Sequence, residues 1–84
     1  MPTICTFYGI CIKMNFKQKE HEPPHIHAFY GEKEAMFNIV NGELLKGRVP
    51  VTATKLVKEF LNKNKDDLLK MWDEQNIYKL KGIE

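Results

Sequence analysis

The chain has no serine, and its only two cysteines, Cys5 and Cys11, do not form a Cys-x-x-C pair. The sequence therefore offers no serine nucleophile, and the cysteine spacing indicates neither a zinc ribbon nor a redox dithiol. It also lacks an apolar run of membrane-spanning length and the N-terminal pattern of a signal peptide. We therefore expect a cytoplasmic, reduced protein that does not engage membranes, in which both thiols are buried or half-buried apolar side chains.

An excess of one charge is absent as well. The 13 basic and 11 acidic residues give a net charge of +2, which is too small to predict nucleic-acid binding from charge alone. Lys13, Lys17 and Lys19 form a local basic stretch that could meet phosphate, although such lysines more often keep a strand soluble. The length of 84 residues and the hydrophobic content of 43% predict one globular domain, 1–84. Its core is small, so we expect self-association or a small protein partner.

All three histidines, His21, His25 and His27, lie within one seven-residue segment. Alternate residues of a strand point to the same face, so a strand through this segment would project His25 and His27 side by side. Pro23 and Pro24 precede the pair, and because each proline fixes its own φ, the chain should enter the strand stiffly. The sequence therefore predicts two imidazoles on the same face of one strand.

Several roles are open for these histidines. They could be solvated strand positions or half-buried groups bonded to backbone carbonyls. They could instead form a catalytic pair, His25 and His27, acting as general acid and base or as a phosphate clamp. The additional binding residues would then be His21, Lys13 and Tyr30. In a third interpretation the three histidines, joined by Glu20 or Glu22, bind a divalent metal, although their spacing is not one of the specific zinc patterns. Apart from that metal, no cofactor is expected.

The first half of the chain has the alternating pattern of strands. Gly9 predicts a bend or bulge between the first two apolar runs, and Asn41-Gly42 predicts a tight hairpin because both residues tolerate positive φ. The strands are predicted over 3–8, 10–16, 25–30, 34–40 and 43–46.

The second half changes to helical spacing. Pro50 suits a first helical turn and Asn64 an N-cap, so helices are predicted over 50–63 and 65–76. The fold class is therefore α+β, an antiparallel sheet of three to five strands followed by two helices packed on one face. The predicted helical core consists of Leu56, Val57, Phe60, Leu68, Leu69 and Trp72.

Several motifs resemble one known family. The chain opens Met-Pro-Thr-Ile, continues with Phe-Tyr-Gly-Ile, carries His-Glu-Pro-Pro-His-Ile-His-Ala-Phe-Tyr over 21–30 and Asn-Gly-Glu-Leu-Leu-Lys-Gly over 41–47. Together these are similar to the small bacterial domain of unknown function numbered 4160. The resemblance extends nearly end to end, and its P-P-H-x-H-A core is the specific part. The departures are Cys5, Cys11 and a longer lysine-bearing loop before His21.

The resemblance implies a protein partner, but it implies no particular reaction. Members of this family are encoded beside another small domain of unknown function, numbered 2442, and such pairs have been proposed as toxin and antitoxin modules. We therefore expect a component of a toxin-antitoxin pair that forms a complex with a small protein partner. The histidine strand would be its active or binding surface, and RNA or nucleotide phosphate is one ligand class that it could meet. The alternative is a non-enzymatic interaction or regulatory domain whose histidines are structural or bind a divalent metal.

Overall fold

A computed structural model describes residues 3–14, 23–74 and 76–82. Within these ranges, five strands form one sheet in the order in which they occur along the chain, and every neighbouring pair is antiparallel. The helix comes after the last strand, so the α+β class and the antiparallel sheet are confirmed. In chain order the elements are β1 Thr3–Phe7, β2 Ile10–Lys13, β3 His25–Tyr30, β4 Lys33–Asn38, β5 Leu44–Gly47 and α1 Val51–Glu74.

The first two strands are joined by a two-residue turn rather than by a bend or bulge at Gly9. Phe7 pairs with Ile10, and the two residues between them, Tyr8 and Gly9, have φ values of +48° and +79°. Positive φ at both central positions is the signature of a type I′ turn, whose twist suits a hairpin. The bulge in this hairpin lies instead near Ile4, where the register shifts.

The Asn41-Gly42 hairpin is present, but its loop is longer than two residues. The connection covers 39–43 and is closed by two bonds of 2.8 Å, from the Asn38 amide to the Glu43 carbonyl and from the Gly42 amide to the Asn38 carbonyl. Only Gly42 has a positive φ, +75°, whereas a two-residue type I′ turn needs positive φ at both positions. β4 therefore ends at Asn38, before the predicted end at Val40. β5 begins at Leu44, one residue after the predicted start at Glu43.

Among the described residues, one helix, kinked at the boundary that the sequence predicts, replaces the two predicted helices. α1 runs from Val51 to Glu74 and is kinked at Asn64, whose φ of −115° and ψ of 19° are not helical. The Asn64 side chain donates from Nδ2 to the Phe60 carbonyl at 3.1 Å. Asn64 therefore bends the helix by bonding back to the preceding turn, and it does not begin a new helix.

The core lies between the helix and one face of the sheet. Ile12, Ile26 and Ala28 are fully buried on neighbouring strands, and Phe7 stacks on Phe60 of the helix with ring centroids 5.1 Å apart. The predicted helical core is confirmed in full for some positions and in part for others. The buried positions are Val57, Phe60, Leu68 and Trp72. The positions that are partly buried against this core are Leu56 and Leu69.

The sequence also predicts buried or half-buried thiols and no membrane-spanning segment. Cys5 is buried and Cys11 half-buried, as expected. Within the described residues, α1 is too polar to span a membrane.

Past the helix, the chain returns to the first strand, where the Leu80 amide donates to the Ile4 carbonyl at 3.1 Å. The segment 76–82 is thus tied to the β1 side of the sheet.

Candidate functional site

Strand β3 presents two different faces. Ile26 and Ala28 are completely buried, which places their side chains in the core. His25, His27 and Phe29 alternate with them and therefore share the opposite face. The rings of His25 and His27 lie 5.2 Å apart, so the predicted side-by-side arrangement is confirmed. The core therefore receives Ile26, and Phe29 lies on the face with the histidines.

His25 is enclosed by the protein. Its exposed fraction is 4%, and its ring centroid lies 5.1 Å from that of Trp72, which belongs to the end of α1. Nδ1 lies 3.0 Å from the Pro23 carbonyl oxygen. Because a carbonyl can only accept a hydrogen bond, Nδ1 carries the proton and donates it. The stiff proline entry thus supplies the acceptor that orients His25.

His27 reaches the surface and is held by a carboxylate. Its Nδ1 lies 2.9 Å from Oε2 of Glu34, and the exposed fractions of the two side chains are 12% and 47%. Since the carboxylate accepts, Nδ1 is the donor, and in the neutral ring Nε2 is then the nitrogen that can accept a proton or a hydrogen bond. This is the relationship by which a carboxylate fixes the tautomer and direction of a working histidine.

The β3–β4 turn brings Glu34 to this position. Gly31 has a φ of +61°, as the first central residue of a type II′ turn does, and the short turn sets Phe29 opposite Glu34. His27 is paired with Met36. Glu34 therefore lies diagonally across from His27 on the same face, within reach of a long side chain. The sequence prediction missed Glu34, and the register set by a two-residue turn at 31–32 is the signal that could have found it.

The predicted binding residues have different positions. Lys13 is paired with His27 in the sheet, and its Nζ lies 5.2 Å from the centroid of the Phe29 ring, a cation–π distance. Tyr30 is exposed, but by alternation it belongs to the face opposite His27. His21 lies outside the described residues. We refer to Lys13, His27, Phe29 and Glu34 as the His27 surface.

A metal centre built on three histidines cannot be traced in the described part of the chain. Within 3–14, 23–74 and 76–82, no group of three or more histidine, cysteine, aspartate or glutamate side chains is placed to hold a metal ion. The third proposed ligand, His21, and its neighbours Glu20 and Glu22 fall outside those ranges. The metal interpretation therefore rests on the sequence alone.

The fold and the site define a small α+β domain, with a helix on one face of an antiparallel meander and a histidine–carboxylate pair on the other. Residues 9–73 match the model of a family described as Domain of unknown function (DUF4160). The match spans most of the chain, and the protein belongs to this family. The comparison with curated proteins found no match. The comparison with solved structures found none either.

Proposed function

We propose that the protein is one component of a toxin-antitoxin pair, which acts in complex with a small protein partner and uses the His27 surface as its active or binding surface. Membership of the family supports the two-protein setting, because the resemblance carries that expectation. The single observation that supports the surface is the bond of 2.9 Å between His27 and Glu34. It orients an imidazole at the surface, whereas the neighbouring His25 is buried.

The chemistry of the His27 surface suits an anionic group. Glu34 holds Nδ1 of His27, which leaves Nε2 for a proton or a ligand. Lys13 lies on the same face, with its ammonium 5.2 Å from the Phe29 ring. A phosphate approaching this face would meet the Lys13 cation and the imidazole together, and the imidazole could accept or donate a proton. We therefore infer that RNA or nucleotide phosphate is the substrate class to test first.

Growth of bacteria tests the two-protein part of the proposal. The protein and the product of its neighbouring gene are expressed separately, together and not at all. The proposal expects one of the two proteins alone to arrest growth and their co-expression to restore it. Equal growth in all four strains, with both proteins detected in the soluble fraction, would reject a toxin-antitoxin role.

One observation favours the alternative, a non-enzymatic interaction or regulatory domain. The buried ring of His25 and its bond to the Pro23 carbonyl are typical of a structural histidine. In that alternative the other histidines are also structural or bind a divalent metal. Metal analysis of protein purified without a histidine tag or chelator tests the metal-binding form of this alternative, because a metal site would hold near-stoichiometric metal and lose it on His27→Ala.

A further inference from the structure

A second surface feature lies away from the His27 surface, between the β4–β5 loop and the helix. It is a cleft of about 140 Å³. Apolar side chains of Ile39, Val40 and Leu61 contribute to its wall, and Lys58 and Lys65 lie beside them. None of these residues belongs to the His27 surface, so the cleft can be tested separately from the proposed function.

Hydrogen bonds hold the backbone on the loop side of the cleft. The Ile39 amide donates to the Pro24 carbonyl at 2.9 Å, and Ile39 is buried. The Val40 amide donates to Oδ1 of Asn38 at 2.7 Å, yet the Val40 side chain is 50% exposed. The loop backbone is therefore held in place, while the Val40 side chain, which lines the cleft, is in contact with solvent. Preorganised apolar surface of this kind lowers the entropic cost of binding.

The charge on the cleft has one sign. Lys58 and Lys65 are separated by seven positions, or about 10 Å along a helix, and both line the cleft. Among the described residues that line it there is no aspartate or glutamate. Neither lysine forms an ion pair within the described part of the chain. The cleft lining therefore carries two cations that have no ion-pair partner among the described residues.

We propose that this cleft is a docking site for an acidic segment of a partner protein, which inserts one apolar side chain between the loop and the helix. The volume fits a single anchor, because a cavity of about 150 Å³ accommodates a molecule the size of benzene. Carboxylates on either side of the anchor would meet Lys58 and Lys65. An apolar anchor surrounded by complementary charge is a common arrangement at protein interfaces.

The test uses defined peptides and the 84-residue chain. A fluorescent 12-residue peptide with one central leucine flanked by glutamates is titrated against the protein, beside the same peptide with lysines in place of the glutamates and one with alanine in place of leucine. Backbone amide NMR shifts locate the binding site. We expect saturable binding of the acidic leucine peptide, weaker binding of both other peptides, and shifts concentrated in 39–42 and 58–65.

Matched variants separate the cleft from bulk charge. Lys58→Glu with Lys65→Glu should weaken binding at least about ten-fold. Lys55→Glu with Lys70→Glu changes the net charge equally on exposed positions of the same helix and should leave the affinity within about two-fold. Thermal unfolding confirms that both double variants are folded. The proposal is overturned by a lack of saturable binding, by equal binding of the lysine peptide, by equal losses in the two double variants, or by shifts on the His27 surface.

Discussion

His27 and Glu34 form an imidazole–carboxylate pair across two antiparallel strands, with Nδ1 and Oε2 2.9 Å apart. The pair connects the fold to the proposed function, because the β3–β4 turn sets the register that makes it possible. It lies on the sheet face opposite the core. A partly exposed pair of this kind contributes little to stability, so its proposed role is chemical, and the two contributions can be separated by mutation.

His27→Ala and Glu34→Gln should leave the fold nearly unchanged. Glu34 is 47% exposed, and exposed ion pairs typically contribute about 0.2 to 1 kcal/mol. We therefore expect Glu34→Gln to change the free energy of unfolding by less than about 1 kcal/mol in urea titrations, and His27→Ala, at a side chain 12% exposed, to cost less than about 2 kcal/mol. A loss above about 2 kcal/mol for either variant would identify the pair as part of the structural core.

His25→Ala should behave differently from His27→Ala. The His25 ring is buried against Trp72 and donates to the Pro23 carbonyl, so the substitution removes a buried hydrogen bond and ring packing. We expect a loss of about 1 to 3 kcal/mol in unfolding free energy. His27→Ala, measured in the same way, is the control. Equal stability of the two variants would show that the buried ring does not support the fold.

Trp72→Ala and Phe60→Ala test the packing of the helix on the sheet. Phe60 is completely buried and Trp72 nearly so, and truncation of such residues costs about 3 to 5 kcal/mol. Losses of that size should appear in equilibrium unfolding, while Val51→Ala, at a position 73% exposed, should change stability little. A loss below about 1 kcal/mol for Trp72→Ala would contradict this packing.

Gly47→Ala should be more damaging than Gly42→Ala. Both glycines have a φ of +75°, so alanine pays the left-handed penalty of about 1 to 2 kcal/mol at either position. At Gly47 a Cβ would also clash with the Glu34 carbonyl oxygen, whereas at Gly42 it would meet nothing within 4 Å. Chemical denaturation should therefore give a larger loss for Gly47→Ala. Equal losses would mean that β5 moves away from β4 at no cost.

Patterns of neighbouring residues predicted the strand bounds and the faces on which side chains lie. The alternation of apolar and polar residues and the two prolines predicted the strand His25–Tyr30 with its observed bounds. They also predicted a shared face for His25 and His27, which their ring contact confirms. Helical spacing likewise identified the buried stripe through Phe60 and Trp72. In each case the period of the pattern is enough to assign a side chain to a face.

Contacts between distant segments could not be predicted in the same way. The packing of Trp72 on His25 joins the end of the helix to the start of β3, and no local pattern encodes it. The sequence allowed half-buried histidines bonded to backbone carbonyls, but it could not say that His25, and not His27, is the one enclosed. Asn64 suits an N-cap by its residue type, but its bond to the Phe60 carbonyl bends one helix and does not start another. Tyr30 was grouped with the histidines although alternation already assigned it to the other face.

The most direct test of the central claim measures His27→Ala and Glu34→Gln in the growth assay with the neighbouring protein. Thr6→Ala, at an exposed position of the sheet outside the His27 surface, is the control, and circular dichroism confirms that all three variants are folded. The proposed role of the pair predicts that both substitutions abolish the effect of this protein on growth, whether it is arrest or rescue, while Thr6→Ala retains it. Full activity of His27→Ala would contradict the claim that the His27–Glu34 pair is the working part of this surface.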